Sequence, residues 1–313
     1  MYRYIYKIHR TSIAQGDTRR GGNLLRSTLS EYNELNKIYK ISARRARSSI
    51  PSPLPSQAAG RSINTKHMTY NLIGDIHGRT TWQQLVREDA INVFLGDYLD
   101  PYADEGFAPG EEEYANLLSI IRYKQEHPET VLLLGNHDLH YLWHEHYSRY
   151  NAEHAERYAH LLSEHLHLFQ AALAIGDRVL VTHAGVTRPW CELAGIEEGL
   201  SVATLAEAIC QRMTDTEQRR RYFTAASTFE MGDYCGMSAT ASPLWVRPQA
   251  LVPHGELLDD QQRPIIQVVG HTQVREVMSI FPFYFVDCLG YQAQSLLIEL
   301  TDDGQIIPTV NRV

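Results

Sequence analysis

Five short blocks of the 313-residue chain set carboxylate, carboxamide and imidazole side chains beside glycine. They are Gly74-Asp75-Ile76-His77-Gly78, Gly96-Asp97-Tyr98-Leu99-Asp100, Gly135-Asn136-His137-Asp138, Thr182-His183-Ala184-Gly185 and Gly270-His271-Thr272. Asp75 and His77 stand two apart, so in extended chain they point the same way and can grip one ion. The flanking glycines let the backbone turn sharply and let a ligand come close. Asp, Asn and His together make a mixed oxygen and nitrogen donor set, suited to Mn, Fe, Zn, Ni or Co rather than to Ca alone. One such block is ordinary loop chemistry. Five in order, each behind an apolar run, point to one site.

The apolar runs read as strands over 69–73, 91–95, 131–134 and 265–269, with a hairpin of 171–175 and 178–182 around Gly176-Asp177. Helices are expected over 81–88, 111–126, 139–149 and 152–170, and 202–227 also reads as helical. In the second of these, Leu117, Leu118, Ile120 and Ile121 gather on one side. The 230s read as loop, and strands over 283–286 and 295–300 follow. Strand–helix alternation followed by several strands predicts an α/β domain with more than one sheet. In such folds the chemistry sits just beyond the strand C-termini, where all five blocks fall.

In this order the blocks resemble those of the calcineurin-like metallophosphoesterase superfamily. Residues 96–100, Asn136-His137-Asp138 and Phe285-Val286-Asp287-Cys288-Leu289-Gly290 are most similar to its phosphoprotein-phosphatase branch, the serine/threonine phosphatases, bacterial members included. The resemblance implies an αββα fold, two packed mixed sheets flanked by helices. It implies two divalent transition-metal ions, with manganese foremost. Asp75 and His77 would bind the first, Asp97 would bridge both, and Asn136, His183 and His271 would complete the second. His137 would protonate the leaving oxygen and Asp100 would orient its imidazole. The implied reaction is hydrolysis of a phosphomonoester, such as a phosphoserine or phosphothreonine side chain, so the partner is a phosphoprotein or a small phosphoester. The alternatives are a dinucleoside polyphosphate hydrolase, a phosphodiesterase, or a metal-binding module without activity. A module has no use for a leaving-group acid. One departure stands out: the branch follows its second block with Arg-Gly, and here Pro101-Tyr102 take that place. Arg247, in Leu244-Trp245-Val246-Arg247, is the nominated phosphate-binding residue, ahead of Arg79.

The net charge of −8 divides unevenly. Residues 1–67 carry 13 Lys and Arg against 3 Asp and Glu, and residues 68–313 carry 16 against 34. The expected organisation is a basic extension, 1–67, ahead of a metallophosphoesterase domain, 68–313, with a helical insertion around 186–264. Three readings of the extension stand open: a transit peptide, a basic arm for nucleic acid or anionic lipid, or sequence ahead of a native start at Met68. Nucleic acid is otherwise not an expected partner. No apolar run is long enough for a membrane span. Four scattered cysteines without a CxxC pair suit reduced thiols in the cytoplasm. Glu111-Glu112-Glu113 suits a helix N-terminus, Arg219-Arg220-Arg221 an exposed helical patch. His140, His144, His146, His154, His160, His165 and His167 read as a solvated helix face.

Overall fold

Leu72, Ile73, Val93, Phe94, Leu132 and Leu133 are all buried, so the strands that carry them have two covered faces, as parallel central strands do. The computed structural model describes residues 68–106, 110–143, 148–223 and 236–313. The basic extension 1–67, and His144 and His146, lie outside the described residues.

The strands are β1 (Met68–Ile73), β2 (Ile91–Phe94), β3 (Val131–Leu133), β4 (Phe169–Gln170), β5 (Ala172–Ile175), β6 (Val179–Thr182), β7 (Ile266–Val269), β8 (Met278–Ile280), β9 (Phe283–Phe285), β10 (Gln294–Leu300) and β11 (Ile306–Arg312). The helices are α1 (Trp82–Leu85), α2 (Glu111–Glu126), α3 (Asn136–Trp143), α4 (Ala155–Glu164), α5 (Arg188–Leu193), α6 (Val202–Thr214), α7 (Thr216–Tyr222) and α8 (Pro248–His254). One sheet runs β11-β10-β1-β2-β3-β4 and the other β5-β6-β7-β9-β8. Both are mixed: β1 to β4 pair in parallel while β10 and β11 run antiparallel, and β6, β7 and β9 are parallel between antiparallel β5 and β8.

Period-two alternation sends neighbouring residues into different layers. Leu72, Val93, Leu95 and Leu133 meet Val179, Val181, Val268 and Val286 between the sheets. Ile73, Phe94 and Leu132 turn outward onto Trp82, Leu117, Ile120, Leu161 and Leu162 of α1, α2 and α4. On the far side, Leu180 of β6 packs against α5 and α6 through Trp190, Val202, Leu205 and Ile209. The layers are therefore helix, sheet, sheet, helix, the αββα arrangement.

Several boundaries differ from expectation, each for a local reason. The helix expected over 152–170 ends at Glu164, and Phe169 and Gln170 instead pair with Leu132 and Leu133 on a sheet edge. The 202–227 stretch is broken at Asp215, whose carboxylate accepts the Gln218 N–H at 2.7 Å and so starts α7. The 81–88 helix shrinks to a single turn, because Val86 turns to extended backbone. Strand β11 lies beyond the expected elements; it contains Pro308 and pairs only with β10, at an edge where a missing N–H is tolerated.

The inter-sheet layer should dominate stability. Leu72→Ala is expected to cost about 3 kcal/mol through lost burial and a residual cavity, seen as a lower urea midpoint at unchanged slope.

Candidate metal centre

Every block predicted to carry chemistry begins where a strand ends: Asp75 and His77 after β1, Asp97 and Asp100 after β2, Asn136 and His137 after β3, His183 after β6 and His271 after β7. Because the two sheets pack face to face, these ends converge. Asp75, His77 and Asp97 present ligand atoms within 4.8 Å of one another, and so do Asp97, His183 and His271. Asp97 belongs to both groups, and all of these residues are buried. Asn136 joins the second group through its Oδ1, 3.0 Å from His183 Nε2.

The imidazoles are oriented by backbone carbonyls. His77 Nδ1 is 2.8 Å from Leu99 O, His183 Nδ1 is 2.7 Å from Leu95 O and His271 Nε2 is 3.0 Å from Trp245 O. A carbonyl only accepts, so each of these nitrogens must carry the proton and the other nitrogen of each ring is left as a ligand atom. The Nε2 atoms of His77 and His183 each lie 3.5 Å from Asp97 Oδ2. Second contacts hold the carboxylates. Asp75 accepts the His271 N–H at 3.0 Å, and Asp97 Oδ1 accepts the His137 N–H at 2.8 Å. Asp138 pins the loop of Asp97 by accepting N–H groups of Asp97, Tyr98 and Gly135, each at 2.8 Å. A Cβ at Gly135 would overlap the Asp97 carboxylate, which is why the third block opens on glycine.

The electrostatics ask for cations. Burial, reinforced by Asp287, pushes the Asp75 carboxyl well above its usual range. Burial also raises Asp287 to about 6, and among the described residues no donor reaches either of its oxygens in hydrogen-bond geometry. Burial would pull His183 down, but the Asp97 and Asp75 carboxylates hold it up at about 10. Against the effect of burial, His183, His137 and His77 keep Asp97 ionised well below the usual range. A buried surplus of carboxylates with imidazole nitrogens aimed among them fits a pair of divalent transition-metal ions.

The chain belongs to the calcineurin-like phosphoesterase family. Residues 68–283 match that family, the greater part of the described chain. It is a metal-dependent phosphoesterase, and the family works through a dinuclear metal centre. The chain is also similar to two solved structures. One is a mutant cold-active protein tyrosine phosphatase, at 16% identity and TM-score 0.45 over 83% of this chain and 89% of that one. The other is a protein serine/threonine phosphatase from Saccharomyces cerevisiae, at 13% identity and TM-score 0.42 over 80% and 82%. No curated protein matches the sequence. No helix among the described residues is long and apolar enough to cross a membrane.

Beside the metal-ligand groups, His137 Nδ1 lies 2.7 Å from Asp100 Oδ2. Arg247 sits on the His271 side, with Nη1 donating to His271 O and Thr272 Oγ1 at 3.0 Å each. Arg79, the other nominated arginine, is instead committed to Glu105 at 2.8 and 2.6 Å. His140 does not belong to a solvated face. It is buried, and its Nε2 lies 2.8 Å from Asp100 Oδ2. Its place three residues after His137, on the same face of α3, was the available signal. Glu113 holds the start of the same loop, accepting the Asp100 N–H at 3.1 Å and the Gly110 N–H at 3.0 Å. Asp287 and Arg149 are two further site residues that spacing did not single out.

Metal uptake should be coupled to protons. His183 stays charged to about pH 10 in the metal-free pocket, and a ligand nitrogen must lose its proton. Manganese affinity is therefore expected to rise with pH, about tenfold per unit between pH 6 and 8. Calorimetry in buffers of different ionisation heat should show proton release. A pH-independent affinity would remove His183 from the ligand set.

Proposed function

We propose that this phosphoesterase is a phosphomonoesterase of the serine/threonine protein phosphatase type. Asp75 and His77 would hold one divalent ion and Asn136, His183 and His271 the other, with Asp97 placed within reach of both groups. Bound there, two such ions, manganese foremost, would activate a water and neutralise charge on the phosphoryl oxygens.

The observation that supports this reading is the pairing of His137 with Asp100 at 2.7 Å, beside the shared carboxylate. Asp100 accepts a hydrogen bond from His137 Nδ1–H, which orients the ring and stabilises its charged form, so that a protonated Nε2 faces the substrate as the leaving-group acid. Such an acid matters most for a seryl or threonyl alkoxide, a strongly basic leaving group. A nucleotide phosphate departs as a weak base and gains little from it, so the pairing favours a phosphomonoester over a dinucleoside polyphosphate. Asp100 is buried and also accepts from Tyr141, so the imidazole it orients is held against a fixed support. Arg247 supplies positive charge on the His271 side of the pocket, where its anchored guanidinium binds a phosphoryl oxygen. Cys191, Cys210 and Cys288 are free thiols, which suits a reducing compartment such as the cytoplasm.

His137→Ala is expected to keep its metal and lose roughly 10²–10⁴-fold in turnover of a phosphoserine peptide. On an aryl phosphate with a nitrophenolate leaving group the loss should be much smaller. Equal losses on both would assign His137 to positioning.

Chelation should abolish hydrolysis, and manganese should restore it best among divalent metals. Asp97→Asn should be the most damaging of the ligand substitutions, since it weakens both metal positions together. A parent enzyme far faster on a dinucleoside tetraphosphate than on the phosphopeptide would replace the phosphomonoesterase reading by its alternative.

A further inference from the structure

Arg149 enters the site from beyond α3. Its backbone is in the left-handed region at φ 67°, an uncommon conformation for a residue with a side chain. The turn carries the guanidinium back over the second block. Nη1 donates to the carbonyl oxygen of Asp100, and Nη2 lies 2.9 Å from His137 Nε2 and 3.4 Å from His77 Nε2. The guanidinium carbon sits 3.8 Å from the centroid of the Tyr102 ring, a cation–π seat. The same ring meets His77 edge-on at 5.1 Å.

These contacts fix a planar cation at the point where the leaving-group acid and the first metal-ligand group meet. Among the described residues no carboxylate forms an ion pair with Arg149, whereas Arg79 is neutralised by Glu105 at 2.6 Å. A guanidinium stays charged at any physiological pH. It is held here by a carbonyl and an aromatic face, neither of which brings a full negative charge. An incoming phosphate dianion would bring one, and the fork geometry of the guanidinium matches two of its oxygens.

We propose that Arg149, seated on Tyr102, is the principal phosphate-clamping residue of this enzyme, with Arg247 its partner beside His271. The proposal rests on the phosphomonoesterase reading. In it, Tyr102 has a defined part: its ring sets the plane of the guanidinium, so Pro101-Tyr102 are not merely a gap where an arginine was expected. A phosphoryl oxygen then takes the Arg149 donor that otherwise points at His137 Nε2, which frees that nitrogen to carry the proton for the oxygen that leaves.

The test uses the full chain loaded with manganese and reads three quantities: inorganic phosphate affinity by calorimetry, bound manganese by elemental analysis, and kcat and KM on a phosphoserine peptide. Arg149→Ala should retain manganese, weaken phosphate binding by about 10- to 100-fold and raise KM. Arg149→Lys should recover only part of the affinity. Added guanidinium should partly restore Arg149→Ala, which a merely structural role would not allow. Tyr102→Leu should weaken phosphate binding in the parent but cost nothing further in the Arg149→Ala background, since it acts through the arginine. Should Arg149→Ala fold poorly, Arg149→Gln replaces it with the same expected result.

Parental phosphate affinity in a folded Arg149 variant, with the loss appearing in Arg247→Ala instead, would overturn the proposal and leave the phosphomonoesterase reading standing. Additive losses for Tyr102→Leu would overturn the seat. A parent that neither binds phosphate nor hydrolyses the phosphopeptide would overturn both this proposal and the reading beneath it.

Discussion

A carboxylate taken out of water must find charge or hydrogen bonds nearby, and Asp97 meets that demand by sitting where everything else converges. It lies 3.5 Å from both His77 and His183, accepts the backbone N–H of His137, and has its own N–H held by Asp138. Removal of its charge would leave His183 without the partner that keeps it protonated, and would loosen the start of α3 at the same time. Asp75 and Asp287 are two further buried carboxyls whose ionised forms the protein alone compensates poorly. Positive charge from bound metal is what makes such an interior tenable, and the fold is arranged to receive it.

The backbone shows the strain that this arrangement costs. Of the six non-glycine residues with positive φ among the described residues, five are at the site: His77, Asp97, Asp100, Arg149 and His271. Each such conformation costs of order 1–3 kcal/mol and persists only where its surroundings over-determine it. Those surroundings can be named. His77 N–H is tied to Asp97 O at 2.6 Å, Asp100 N–H to Glu113, and His271 N–H to Asp75. Well-packed strands behind these turns supply the rigidity that holds them.

Much of this was legible in the residues themselves. Metal-ligand types recur directly after apolar runs, and a parallel strand buried on both faces leaves its C-terminal end as the first place where a polar side chain can act. That logic locates the five blocks, the family resemblance picks Asp75, His77, Asp97, Asn136, His183 and His271 out of them, and the structure brings these six together. It fails where the deciding fact is tertiary. His140 lies on a helix with charged neighbours in sequence, yet the packing of α3 turns it toward Asp100. Arg149 follows no strand, and nothing local says that its backbone turns left-handed and lands on Tyr102. Strand β4 is two residues long and exists because an edge of the sheet was available to it. Edges, turns and packed helix faces depend on partners far along the chain, and a local pattern cannot see them.

The two metal-ligand groups also differ in how much chain must exist before they can form. Asp75, His77 and Asp97 come from consecutive loops of neighbouring parallel strands, β1 and β2. The second group needs His271, whose loop follows β7 and is anchored to Asp75 across most of the described sequence. During synthesis the first group can therefore assemble while much of the second sheet is still inside the ribosome, whereas the second waits until nearly the whole domain has emerged. Closing so long a loop is an entropic cost that an ion held among Asp97, His183 and His271 would offset. Filled by a metal, the second group would be a clasp between the sheets, fastened last and able to secure the finished domain.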